Sequence, residues 1–333
     1  MKKRHTFLLI LALIGLVLFT GCGPKPDPEP VDTTYKPNVK SAMVGTYTIT
    51  PTWIPFSEPV IAKEYFDNQI AVSSSGQLFI LDGNTLTEYA LNGESYTMGT
   101  RLDLDKEGSF MSRDNTDTLW ISPGISSIIG VKNMQQTVQS TVKDYLAIAP
   151  DGSWGLTHWV SNPIQRVTNV DGNLSAEPWA FTPPLEGSTL GIISDIAITD
   201  THVMIAGKVD EEERIAIYDY NGNLQALLGN TEIGNPDSLG SVTGMVETSN
   251  GFVAIDGNMR SIIFWTPDFQ VIGNLKPDEV LGTDYPWLSD LVLQPDGSLL
   301  VAAAQDQVMP EGYELKEGED EPTEILIFKL TGF

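Results

Sequence analysis

The stretch "DLVLQPDGSLLVA", residues 290–302, sets out apolar positions, breaks at Asp296-Gly297 and resumes as a second apolar run. Two apolar runs around an Asp-Gly break are the sequence form of a β-hairpin, because the tight turn needs backbone angles that glycine and aspartate tolerate. The phrase recurs as "QIAVSSSGQLFIL" (69–81), "SFMSRDNTDTLWI" (109–121), "YLAIAPDGSWGLT" (145–157), "DIAITDTHVMIAG" (195–207) and "MVETSNGFVAIDG" (245–257). Anchored at Gly76, Asp117, Gly152, Thr201, Gly251 and Gly297, the six copies lie 41, 35, 49, 50 and 46 residues apart. Such a period fits a four-stranded blade.

A second hairpin follows most copies, with its turn at Asn92-Gly93, Asp171-Gly172, Asn221-Gly222 and Asp268-Phe269. Two hairpins make one blade, and six blades close into a ring. The expected fold is therefore all-β, a six-bladed β-propeller of four-stranded antiparallel blades spanning residues 45–333. The last copy supplies only three strands, "DLVLQP", "SLLVAAA" and "EILIFKL", whereas "GTYTITPTWI" (45–54) has no partner of its own. This N-terminal strand is expected to complete the sixth blade, joining the chain ends and removing a free edge. Two acidic segments interrupt the pattern: "AQDQVMPEGYELKEGEDEPTE" (304–324) and "VDEEER" (209–214). Their charge predicts disorder.

Ahead of the repeats, Lys2, Lys3 and Arg4 precede an apolar run from Phe7 to Phe19, which has the length of a secretory signal and is short for a membrane span. The chain's single cysteine, Cys22, follows at once. Thr20-Gly21-Cys22 resembles the lipobox of bacterial lipoproteins, with Phe19 where the family usually has leucine. That resemblance implies a signal peptide over 1–21, cleavage before Cys22, acyl chains such as palmitate on Cys22, and an exported protein anchored at a membrane surface. The alternating prolines of "GPKPDPEP" (23–30) read as an extended tether of about 3 Å per residue, within a linker of 22–44.

The 333 residues carry 19 basic and 44 acidic side chains, and losing Lys2, Lys3 and Arg4 leaves 16 against 44, a net charge of −28. A surface so acidic repels phosphate backbones, which excludes nucleic acid as a partner. The expected partners are an unidentified protein, peptide or saccharide and, through the acyl chains, the membrane, with the propeller a monomer.

Residues 251–264, "GFVAIDGNMRSIIF", resemble the NHL-type repeat, and 76–91 and 215–224 echo it. The architecture is similar also to the six-bladed gluconolactonase-like calcium proteins, which place Glu, Asn and Asp at a metal in the channel. Here Asp67, Asp144, Asp195 and Asp290 stand where inner strands start. Hard carboxylate oxygens arriving from several blades suit Ca²⁺; the alternative is that such aspartates only cap turns. A zinc site like that of amidating lyases with NHL-like blades lacks its histidines, since the chain has only His5, His158 and His202.

Aromatic residues at the same predicted face, Tyr285 and Trp287 in "TDYPWLSD" and His158 and Trp159 in "SWGLTHW", are candidate ligand-binding residues, with inter-blade packing as the competing role. No catalytic residue is assigned. The leading expectation is a lipid-anchored, envelope-exposed binding propeller without catalysis. The alternatives are a calcium-dependent lactonase or hydrolase and a scaffold in an envelope complex.

Overall fold

A computed structural model describes residues 36–333 apart from 63–67, 124–126, 160–161, 231, 233, 283–286 and 307–322. The signal segment, Cys22, the proline run, Asp67, Tyr285 and most of the acidic segment 304–324 therefore lie outside the described residues.

Each repeat folds as expected. Blade one is Gln69–Val72, Leu78–Asp82, Thr85–Asn92 and Ser95–Asp103, joined in that order as antiparallel neighbours. Four further sheets repeat this order, beginning at Phe110–Arg113, Tyr145–Ile148, Leu190–Ile198 and Val242–Thr248. The first hairpin turns take up positive φ at Gly76, Asp117, Gly152, Gly251 and Gly297, and the second at Gly93, Asp171, Gly172, Gly222 and Phe269. The fourth anchor, Thr201, departs from this rule and turns through side-chain bonds instead.

Blade six combines Trp287–Leu293, Leu299–Asp306 and Thr323–Thr331 with the N-terminal strand Tyr47–Ile54, which pairs with Thr323–Thr331 from Thr50↔Thr331 to Ile54↔Ile327. The ring is closed by strands from both ends of the chain. Beyond the expected four strands, Ala42–Val44 pairs outside Tyr47–Ile54, and Ile61–Ala62 pairs with Thr323–Thr331. The helix described is one turn, Pro277–Val280, in the link between blades five and six.

The core is a set of joints between blades. Alternate side chains of one strand point to opposite faces, so Leu78 and Ile80 pack with Leu300 and Ile327 of blade six, while Phe79 and Leu81 pack with Met111 and Ile121 of blade two. Likewise Val253, Ile255 and Phe264 face blade six, whereas Phe252, Ala254 and Trp265 face blade four. Both faces are thus apolar and buried in Leu78–Asp82, Gly251–Asp256 and Ser261–Trp265. Outer strands such as Gln135–Gln139 and Asn173–Pro178 are mostly exposed and polar.

The segment "VDEEER" does not form the disordered insertion expected of it. Val209 pairs with Glu212 across a two-residue turn with Asp210 at φ 50° and Glu211 at φ 69°, a hairpin whose left-handed conformation aspartate tolerates at the first of the two positions. Glu213 is then buried between blades four and five, accepting a hydrogen bond from Ser194 Oγ at 2.5 Å, with Lys208 Nζ at 3.6 Å. A high local charge density here reflects one exposed turn followed by one satisfied buried acid.

Ile49, on the closing strand, is fully buried among blade-six and blade-five side chains, whereas Met43 on the outer added strand is 64% exposed. Ile49→Ala is expected to cost about 2–4 kcal/mol in denaturant unfolding, and Met43→Ala no more than about 0.5 kcal/mol. Equal effects would contradict ring closure through Tyr47–Ile54.

Candidate functional site: the central channel

The first strands of all six blades surround one cavity of about 510 Å³. Its lining is mixed: aliphatic residues such as Ile70, Ile148, Ala197 and Leu291 alternate with polar ones such as Gln69, Ser112, Arg113, Thr199 and Glu247. The aliphatic part follows from the inner strands' sequence, where short apolar runs begin each repeat.

Two of the four expected acidic residues meet here. Asp195 and Asp290 both line the cavity and both are 8% exposed. Asp290 Oδ2 accepts the backbone N–H of Ile70 at 2.7 Å, and Oδ1 that of Leu291 at 2.7 Å. Its first bond crosses the joint between blade six and blade one. Loss of water around the carboxyl raises the Asp290 pKa well above the usual carboxylate range; the Ile70 N–H opposes this and the charge of Asp195 adds to it. Burial pushes Asp195 up to about 7, against only the N–H of its neighbour Ile196. Its carboxylate is the less satisfied of the two.

Blade five lies between these blades and brings Gly244 to Asp290. A Cβ at Gly244 would sit 2.8 Å from the Leu291 nitrogen and 3.2 Å from Asp290 Oδ1, so the missing side chain is what lets the Asp290 strand approach.

Asp144 is not among the cavity walls. It is half-buried just before Tyr145–Ile148 with φ 77°, a left-handed conformation that aspartate tolerates. Asp67 lies outside the described residues. Among the described residues, no three His, Cys, Asp or Glu side chains converge as metal ligands.

The aromatic candidates separate as well. His158 is 3% exposed, pairs across strands with Tyr145, and meets that ring edge-on at 5.4 Å. Burial lowers its pKa to about 4, and neither ring nitrogen has a hydrogen-bond partner among the described residues. The Trp287 ring is half-buried and fills the space over Gly257, where an added Cβ would fall 2.8 Å from it. Trp159 ends the strand Trp154–Trp159, and Tyr285 lies outside the described residues, as does the Trp159 side chain. His158 and Trp287 sit at blade packing, and neither lines the channel.

A second polar group lies toward the other ends of these strands. Glu247 of blade five accepts hydrogen bonds from the Thr199 and Thr201 hydroxyls, the latter at 2.7 Å, and lies 3.1 Å from His202 Nδ1. Thr199 Oγ1 also accepts the His202 backbone N–H at 3.0 Å, which makes the turn that glycine makes elsewhere. Sequence reading passed over Thr199 and Glu247. The signal was present in Thr201, the one anchor position that is neither Gly nor Asp. Arg113, the one cationic side chain on the described cavity wall, is held by Asp117 Oδ1 at 2.8 Å and donates to the Asp114 carbonyl at 3.2 Å.

No family model matches this chain, and no curated protein matches it in sequence. Solved structures do match in shape. The WD40 repeats of RRP9 superpose with a TM-score of 0.52 at 9% identity, covering 84% of this chain and 97% of that one. Hydrazine synthase from Kuenenia stuttgartiensis gives 0.53 at 12% identity over 74% and 94% of the two chains. U3-55K gives 0.51 at 9% identity over 84% and 98%. At such identities the likeness establishes the β-propeller fold alone. That fold suits a binding module.

Proton linkage gives His158 and Asp195 opposite signs. His158 is lowered from 6.5 to about 4, so its contribution to stability is full above pH 6.5 and lost as pH falls through about 4. Asp195 is raised from 3.8 to about 7, so its contribution is full below pH 3.8 and lost as pH rises through about 7. His158→Phe is expected to abolish an acid-side loss of about 3 kcal/mol, and Asp195→Asn to flatten the decline on the alkaline side. Denaturant unfolding across pH checks both; a wild-type slope retained in either variant would contradict its burial.

Proposed function

We propose that this chain is an exported lipoprotein, held at a membrane surface through acylated Cys22, whose propeller binds a small molecule in the central channel. The observation that carries the reading is the cavity: about 510 Å³, walled by all six inner strands, and holding the 8%-exposed Asp195 with a single local N–H partner. Small-molecule sites occupy hollows of about 300–1,000 Å³ in which placed polar groups fix the ligand, and this cavity has that size with a lining of mixed polarity. The order of the sequence supports the anchor, since a basic start, an apolar run, Thr20-Gly21-Cys22 and alternating prolines follow one another without interruption.

Asp195 and Asp290 also favour a second reading, the calcium-dependent hydrolase. Two carboxylates at one level could hold a hard cation and polarise an ester or lactone carbonyl. The binding reading takes precedence because Asp290 is committed to the Ile70 and Leu291 N–H groups.

Two measurements test the proposal. Labelled palmitate should enter the wild-type protein and not Cys22→Ser, which should also leave the membrane fraction; label retained in the variant would refute the anchor. A small molecule released on denaturing protein purified from its own host should be absent from a folded Ala197→Phe variant, whose new ring would fill the channel. An unchanged yield would place binding elsewhere.

A further inference from the structure

We infer that the channel takes an organic ammonium ion, its charged head between Asp195 and Asp290 and an aliphatic body along the channel wall. The inference rests on the binding reading above and names the ligand class.

The head end is defined by two buried carboxyls whose acceptor sites the described residues leave partly unfilled. A carboxylate offers about four acceptor sites. Asp290 fills two with the Ile70 and Leu291 N–H groups, and Asp195 receives only that of Ile196. Arg113, the described wall's one cationic side chain, is already engaged by Asp117 and the Asp114 carbonyl. Two carboxyls buried near each other resist ionising together, because each charge would lose water and repel the other, and a cation between them lets both ionise. A ligand that brings positive charge and three N–H donors removes both costs. A neutral polyol would satisfy hydrogen bonds only. Calcium would call for about six to eight oxygens, more than this pair supplies.

The body end is defined by the wall. Between Asp195 and the polar end at Thr199, Thr201 and Glu247, the strand carries Ala197 and Ile198, which stay partly exposed on the lining, while Ile196 turns into the blade-three joint. At about 3.3 Å per residue these positions separate the two polar ends by roughly 10 Å. Ala197, partly exposed, contributes a small side chain to the lining, which leaves room beside it. An unbranched chain of about six carbons matches that length.

Isothermal titration of the detergent-solubilised full chain at physiological salt, with hexylammonium chloride, 1-hexanol and calcium chloride, tests the assignment. Hexylammonium is expected to bind, Asp195→Asn to weaken it tenfold or more, and Ala197→Phe to abolish it. Asp268→Asn, an exposed acid away from the cavity, should change nothing; a matching loss there would reveal general attraction to an acidic surface and overturn the inference. Hexanol binding as well as hexylammonium, and lost in Ala197→Phe, would refute the ammonium head while upholding a channel site. Calcium binding that depends on Asp195, without hexylammonium binding, would overturn it in favour of a metal. Absence of binding by all three probes would also overturn it, and the release experiment would then decide separately whether the channel binds anything.

Discussion

The contact on which the structure depends is the apolar joint between one blade and the next. A four-stranded blade such as Val242–Leu275 has no interior of its own, and its side chains go alternately to blade four and blade six. Six such joints account for the buried core, each built from residues of two neighbouring blades. Burying a large aliphatic side chain is worth about 1.5–3 kcal/mol, so a blade at an open end would lose half its contacts. Closure is thus a condition of stability, and it explains why the last blade takes Tyr47–Ile54 from the start of the domain.

The channel is a consequence of the same geometry. Strands packed radially leave an axial space, and what lines it is whatever the first strand of each repeat presents inward. Those positions are of mixed polarity. Asp195 and Asp290 are the acids on the described wall that are deeply buried, and they differ in purpose. Asp290 ties Ile70 of blade one to blade six, a polar weld at the joint where the ring closes. Asp195 has no comparable bond among the described residues, so packing alone leaves its burial unexplained.

Polar ties between blades occur at the turns too, and each replaces a contact that water would otherwise make. Glu247 gathers Thr199, Thr201 and His202 across blades four and five. Asp117 takes the Ser74 N–H at 2.8 Å and its hydroxyl at 2.5 Å across blades one and two. Asp114, 3% exposed, accepts from Thr116, Thr118 and Trp120 Nε1. Part of the acidic complement is therefore held at turns and joints.

What the sequence by itself determined is the number of blades, their strands, and the source of the closing strand, because these follow from local periodicity and turn chemistry repeated six times. The turns at Asn92-Gly93, Asp171-Gly172, Asn221-Gly222 and Asp268-Phe269 were each legible in two residues. The site was legible only in part. Asp195 and Asp290 stood out as acids at the heads of apolar strands, yet Asp144 shares that position in the sequence and serves a left-handed turn. His158 and Trp287 were read as ligand residues, and the structure places them at blade packing. "VDEEER" was read as disordered, although its charges divide between one hairpin turn and the buried Glu213. Only the tertiary structure decided these points. Whether a side chain faces a neighbour, a turn or the axis depends on register and blade rotation, which place residues such as Ile70 and Asp290 in contact across most of the chain.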